Sequence, residues 1–343
     1  MRSMGRGNVV RGWSVRRAVR GLGLIFAMAG VSVPGAGHAA DVVVSNWGVN
    51  LYGVIYSVGI EKGIFKEFGA PVTGAIGAPG GGSVMRAMLA NEIKFGEIAT
   101  SAVMDAAVKG LPIVVIGAVA RSNDNSWYVL PSSPIKGLKD VIGKKIAYTS
   151  PKSISEAFER MIFERAGLDA SKITLVAAGG YPQGLTLLEA GGVDVAAMAE
   201  PLKTQRKAKY REIFNAEDNL PLMTAVLAVT TRDYAAKNGD LLRKILAARR
   251  KAVEYVYAHP KEAGMIMSKA YNMKPDDSVA CIENVVKMKQ KQWLYGDIDI
   301  GEITPMQRGL ALTGVKLDKV DWKKLIDASY LPDDLKAKSK LPK

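Results

Sequence analysis

From residue 41 onward the chain alternates short β-branched runs with stretches whose apolar residues recur every three or four positions. This alternation is the pattern of an α/β fold with largely parallel sheets. The first strand is predicted over residues 41–45, followed by a loop at 46–52 and a helix over 53–62 that stops at Gly63. A second strand at 71–78 runs into Gly80-Gly81-Gly82, and a helix over 83–90 places Val84, Met85, Met88 and Leu89 at helical spacing. A strand at 95–101, a small helix at 102–109 and a fully apolar strand at 112–119 complete the first round. A strand with no polar face is expected to be covered on both sides.

From Arg121 the order restarts. Strands are predicted at 127–130, 144–149, 173–177 and 193–198, and helices at 138–141, 156–166 and 183–190. The loops between them are polar at 150–155 and glycine-rich at 178–180, and the last strand runs into Glu200-Pro201. An apolar strand at 223–230 returns the chain, and helices follow at 241–258, 279–293, 304–313 and 322–328. The expected architecture is two similar α/β lobes joined by two crossover strands. Lobe 1 is discontinuous, 41–120 with 226–343, and lobe 2 is 121–225. The cleft between them is the natural ligand site, because strand C-termini and helix N-termini from both halves face it.

The first 40 residues break the pattern. Six arginines and no acidic residue precede the apolar run 22–33, and small residues follow at 35–40. This is the pattern of a secretory signal cleaved after Ala39 or Ala40. The apolar run is too short to span a bilayer comfortably. Ser14-Val15-Arg16-Arg17 hints at a twin-arginine signal, but the general export route is the expectation. No cysteine lies at the cleavage region to carry a lipid anchor, so release into a periplasm is expected. Removing the six signal arginines takes the net charge from +14 to about +8. That charge is scattered over lysine-rich helices, and no motif points to nucleic acid.

The chemistry is restricted. Cys281 is the single cysteine, which excludes an internal disulfide and a multi-cysteine metal site. Of two histidines only His259 lies past the signal, and His259-Pro260 is an ordinary helix stop. Nucleophilic triads are therefore hard to assemble. The stretch Pro79-Gly80-Gly81-Gly82-Ser83 offers backbone amides without Cβ interference, with Ser83 as a candidate N-cap. A helix N-terminus carries unpaired N–H groups and partial positive charge, which suits an anion or a polar head group. No Gly-Lys-Ser/Thr follows, so the stretch is not a phosphate P-loop.

Several of these segments together resemble a known family. They are Ser57-Val58-Gly59-Ile60-Glu61-Lys62-Gly63-Ile64-Phe65, the glycine turn with its helix, and Phe95-Gly96 with Thr100-Ser101. Further on come 133–140 running into Gly143-Lys144-Lys145-Ile146-Ala147, and 188–195 running into Glu200-Pro201. Their order and spacing resemble the periplasmic substrate-binding proteins of ABC importers, in the nitrate/sulfonate/taurine and thiamine-precursor branch. The resemblance covers about 51–202 well and the helical C-terminus loosely.

The resemblance implies a type II periplasmic binding protein that closes on a small solute by a hinge motion and presents it to an inner-membrane ABC permease. It implies no cofactor and a monomer. It places ligand contacts at Asn46, Trp47, Leu51, Tyr52, Gly81, Gly82, Ser83, Thr100 and Ser101 in the first lobe. In the second lobe it places them at Ser153, Ile154, Ser155, Gly180, Tyr181 and Glu200. Met198-Ala199 stands where relatives often carry an aromatic residue, and no arginine falls inside a contact loop, although Arg86 and Arg121 lie close in sequence. A small organic anion, a sulfonate or carboxylate and possibly aromatic, is the expected solute. A pyrimidine or thiamine precursor paired with Glu200 is the alternative, and so is an enzyme on the same fold, although the cysteine- and histidine-based sets of such enzymes are missing here.

Overall fold

The computed structural model describes residues 40–45, 47–78, 81–317 and 320–342. The signal expected over residues 1–40 lies almost entirely outside the described residues, and Asn46 also lies outside them.

Ten strands form two five-stranded sheets. They are β1 (Ala40–Ser45), β2 (Val72–Ala78), β3 (Phe95–Ala99), β4 (Ile113–Ala120), β5 (Ser126–Val129), β6 (Lys145–Tyr148), β7 (Thr174–Ala177), β8 (Val195–Met198), β9 (Arg211–Asn215) and β10 (Val226–Thr231). The first sheet has the order β2-β1-β3-β10-β4 and the second β7-β6-β8-β5-β9. In each sheet four strands run in one direction and one, the fourth in the row, runs antiparallel to its neighbours on both sides. That antiparallel strand is β10 in the first sheet and β5 in the second. Both are strands that have just crossed from the other sheet, through residues 121–125 and 216–225. The two sheets thus repeat one topology, as the repeated pattern predicts.

β4 ends its row, yet every residue in it is buried. The C-terminal segment explains this. Ala118 N–H donates to Gly296 O at 3.0 Å, Leu294 N–H to Val119 O at 3.0 Å and Asp327 N–H to Val115 O at 2.9 Å. An open edge is thereby paired rather than exposed. The same segment corrects the helix expected over 279–293. The helix is Pro275–Val286, and residues beyond it run extended along β4 because β4 offers them backbone partners.

Other boundaries shift for local reasons. β9 was not anticipated, because Arg-Glu-Ile-Phe-Asn is short and follows a lysine-rich stretch. It forms because Phe214 stacks on Trp127 across the β5–β9 pair, with ring centroids 4.9 Å apart. The strand expected to reach Ser101 stops at Ala99, and the next helix, Thr100–Val108, starts there. The helix expected at 83–90 begins at Gly81. The terminal helix expected over 322–328 is one turn, Trp322–Leu325, followed by a 3-10 turn at Ala328–Tyr330. Helices Pro260–Ala270 and Asp333–Lys338 were not anticipated.

Helix Gly239–Ala258 packs against the first sheet and carries a buried charge into it. Arg249 donates to Glu97 on β3 through Nε, and to Leu294 O at 2.7 Å and Val119 O at 2.8 Å. Tyr56 adds a second donor to the same Glu97 oxygen at 2.8 Å. Helix Ile300–Leu312 touches both halves, lying against Thr100–Val108 and Ile154–Arg165. Gly309 permits that approach, since a Cβ there would stand 2.7 Å from Met161 Sδ.

Candidate functional site

A cavity of about 680 Å³ lies between the two sheets. Four helix starts contribute to its walls. Gly82 comes from Gly81–Ala90 and Ser101 with Ala102 from Thr100–Val108. Ile154 and Ser155 come from Ile154–Arg165, and Tyr181 with Pro182 from Tyr181–Glu189. Each such start leaves backbone N–H groups without an intrahelical acceptor.

Local sequence explains the second-sheet wall. Ser153 is the N-cap of its helix and accepts Glu156 N–H at 3.3 Å. Glu156 reaches back to accept Lys152 N–H at 2.6 Å, a Ser-x-x-Glu capping box displaced by one residue. Ser155 is buried, sharing hydrogen bonds with Thr149 Oγ1 at 2.9 Å and Ser153 Oγ at 3.0 Å. Its position is therefore rigid.

The floor is a polar chain across the first crossover. Tyr52 Oη shares a 2.8 Å hydrogen bond with Ser122 Oγ. Asn125 Nδ2 donates to the same Oγ at 3.0 Å, and Tyr181 Oη donates to Asn125 Oδ1 at 2.5 Å. One tyrosine belongs to each half, and the crossover links them. Burial pushes both phenols far above their ordinary range, so both stay protonated. Beneath them Asp124 accepts Glu200 N–H at 2.9 Å and Gln292 Nε2–H at 3.3 Å. Burial raises the Asp124 carboxyl from 3.8 to about 6.

Of the residues expected at the site, Tyr52, Gly82, Ser101, Ser153, Ile154, Ser155, Gly180 and Tyr181 line the cavity. Trp47, Leu51, Ser83, Thr100 and Glu200 do not, and each has a structural reason. Trp47 packs on the Tyr271 ring, 5.6 Å between centroids, over Gly77, where a Cβ would meet Trp47 Cβ at 2.6 Å. Leu51 is core, and its carbonyl accepts Trp293 Nε1–H at 3.0 Å. Thr100 turns away to donate to Thr224 O at 2.9 Å. Gly81 is the first residue of its helix. Ser83 lies within the first turn instead of capping it, and accepts from Arg86 Nη2 at 3.1 Å.

Glu200 is the largest correction. It is buried, and its two oxygens accept Thr204 N–H and Thr204 Oγ1–H, each at 3.0 Å. Cys281 Sγ lies 3.5 Å from it, with the thiol pushed up by burial and then by that carboxylate. Glu200 therefore secures a helix start behind the cleft.

Other cavity residues gave no signal as ligand contacts. Arg86 and Lys152 reach it from opposite sides, and among the described residues neither side-chain cation forms a salt bridge with a carboxylate. Met85, Leu89 and Ala106 also line it, although their spacing reads as a helix's buried stripe. His259 stacks on Tyr255 at 4.5 Å and is not in the lining. Among the described residues no cluster of three His, Cys, Asp or Glu side chains could hold a metal.

Solved structures share this fold. The periplasmic aliphatic sulphonate binding protein SsuA from Escherichia coli superposes with a TM-score of 0.70 at 17% identity, over 84% of this chain and 92% of that one. The periplasmic nitrate-binding protein NrtA from Synechocystis PCC 6803 gives 0.63 at 11% identity, over 87% of each chain. The desulfurization enzyme DSZB gives 0.58 at 12% identity, over 84% of this chain and 97% of that one. No curated protein matches the chain by sequence. The family model described as NMT1/THI5 like matches residues 50–263, more than half of the chain and both sheets in large part. The fold is that of the periplasmic binding proteins, and the chain belongs to the NMT1/THI5-like family.

Proposed function

We propose that the protein is the periplasmic solute-binding component of an ABC importer, capturing a small organic anion and delivering it to an inner-membrane permease. The observation that carries this reading is the convergence of four helix starts on one cavity, together with the Arg86 and Lys152 side-chain cations, which form no salt bridge among the described residues. Unpaired N–H groups, hydroxyls and cations favour a sulfonate or carboxylate. They bind such a group without transforming it. Lobe 1 is 41–120 with 226–343 and lobe 2 is 121–225, and closure is a hinge motion about 121–125 and 216–225 that ligand binding favours. The leader at 1–40 directs the chain to the periplasm, where it acts as a monomer.

The pyrimidine alternative loses its main support, because Glu200 is engaged by Thr204 and does not line the cavity. An enzymatic role has neither Cys281 nor His259 in the cavity to draw on.

The test is the melting temperature of the mature protein against alkanesulfonates, taurine, nitrate, aromatic and aliphatic carboxylates, and pyrimidines. A ligand at 100 times its Kd adds about 2.7 kcal/mol, a rise of several degrees. A rise with one anionic class, reduced in Ser101→Ala and Lys152→Ala, is the expected result. Turnover of a panel member, or a rise with pyrimidines alone, would overturn the reading.

A further inference from the structure

The end of the second sheet farthest from the cavity is basic. Strands β6 and β7 open into the cavity at their C-terminal ends, through residues 149–155 and 179–183. Their N-terminal ends, with those of β8 and β9, draw together loops from distant parts of the sequence. Gly143 N–H donates to Lys172 O at 2.8 Å, and Thr174 N–H to Lys144 O at 2.9 Å. Asp194 N–H donates to Lys145 O at 2.8 Å. Arg211 Nη2 donates to Ser133 O and Ile135 O, each at 2.8 Å, which brings the Lys207–Lys209 turn beside the loop that carries Lys136 and Lys139.

Charge on this end is one-sided. Lys139, Lys145, Lys172, Lys207 and Lys209 are all exposed. Of these five, only Lys172 has a carboxylate within 4 Å among the described residues, Asp169 at 3.5 Å. The acids between them are held by other donors. Asp140 accepts Lys136 N–H at 2.7 Å, Asp194 accepts Lys145 N–H at 2.8 Å and Glu189 accepts Tyr210 Oη–H at 2.5 Å. The lysine ammonium groups are left to solvent. Between Lys139 and Lys144 stands Ile142, 37% exposed although large and apolar, on a turn that Gly143 takes at φ +76°. An acidic protein surface would answer the lysines and leave Ile142 in water. An anionic bilayer answers both, with phosphates for the ammonium groups and the headgroup–acyl boundary for the isoleucine.

We propose that this end of the second half is a docking surface for a bilayer containing anionic phospholipid. Lysine heads meet the lipid phosphates while their stems and Ile142 lie against the apolar boundary. The cavity, at the opposite ends of the same strands, faces away from the membrane and stays open to solute. This goes beyond the solute-binding reading and does not depend on what the cavity takes.

The experiment is sedimentation of the mature protein with vesicles of phosphatidylcholine carrying about 30% phosphatidylglycerol, and with phosphatidylcholine alone. Binding is expected to the anionic vesicles only, falling steeply between about 0.05 and about 0.5 M salt as the charges are screened. Each lysine at an anionic surface contributes roughly fivefold, so Lys139→Gln, Lys145→Gln and Lys209→Gln together should lower the partition coefficient by at least about tenfold. Ile142→Ser should lower it about threefold or more. The control Lys237→Gln, Lys261→Gln and Lys316→Gln removes the same charge from exposed sites in the first half and should leave it within about threefold. Circular dichroism confirms that each variant is folded. No sedimentation with anionic vesicles at low salt would overturn the proposal, and retention on polyglutamate in that case would point to an acidic protein partner. An equal loss in the control triple would also overturn it, since net charge and not this surface would then be responsible.

Discussion

Tyr181 donates its hydroxyl hydrogen to Asn125 Oδ1 at 2.5 Å, so the first residue of a second-half helix is tied to the crossover that carries the chain between halves. Asn125 is fully buried, and its Nδ2 is already donating to Ser122 O at 2.8 Å and to Ser122 Oγ at 3.0 Å. Tyr181→Phe would leave Oδ1, on a fully buried side chain, without that donor. The expected cost is about 1–3 kcal/mol, read as a lower urea midpoint with an unchanged slope. A midpoint equal to that of the native protein would show that the bond contributes nothing net.

Asp124 makes stability depend on pH. Its folded value, about 6, lies above the ordinary 3.8, mainly through burial. The native state therefore holds a proton more firmly than the unfolded chain. This contribution is fully present below about pH 4 and is lost as pH rises toward and through 6. Two units correspond to about 3 kcal/mol against the ionised form. Gln292 Oε1 has no partner, so an amide at 124 could donate to it while still accepting Glu200 N–H. Asp124→Asn should flatten the pH 4–6 part of the stability profile and raise stability at pH 7–8. A profile with the same slope as the native protein's would refute this assignment.

The Glu97–Arg249 pair is buried with both side chains at or below 1% exposure. Among the described residues Glu97 Oε2 has no hydrogen-bond partner, whereas the guanidinium spends its other donors on two carbonyls. Removing one charge leaves the other uncompensated, so Glu97→Gln and Arg249→Met should each cost about 3–5 kcal/mol. The double replacement Glu97→Gln with Arg249→Met should cost less than the two single costs added together. Chemical denaturation of all four proteins measures the coupling directly, and strict additivity would exclude it.

Glu200→Ala separates structure from binding. With its oxygens committed to Thr204, the residue acts as a helix cap, and its loss should cost about 1–2 kcal/mol. Ligand Kd measured at a temperature where the variant is fully folded should change by less than about threefold. A loss of affinity tenfold or greater would return Glu200 to the cleft.

Much of this molecule is determined by local sequence. Alternating strand and helix periods specify ten or so elements in βαβ order, and a repeated order specifies two similar halves. Ser153-x-x-Glu156 sets a helix start, and the Gly179-Gly180 turn sets another. Those are short-range effects, so the residues at the helix starts that face the cavity could be read in advance. Side-chain direction beyond the first turn could not. Thr100 and Ser101 are adjacent, yet one turns to Thr224 and the other to the cavity, because a helix rotates about 100° per residue and only packing fixes its absolute rotation. Glu200, Trp47 and Leu51 are expected at the site through the family resemblance, which carries residues over by position in sequence. Their actual partners, Thr204, Tyr271 and Trp293, are chosen by long-range packing that no local pattern encodes. The covered edge of β4 is of the same kind, because it depends on which surfaces, far apart in sequence, are brought face to face, and tertiary structure alone decides that.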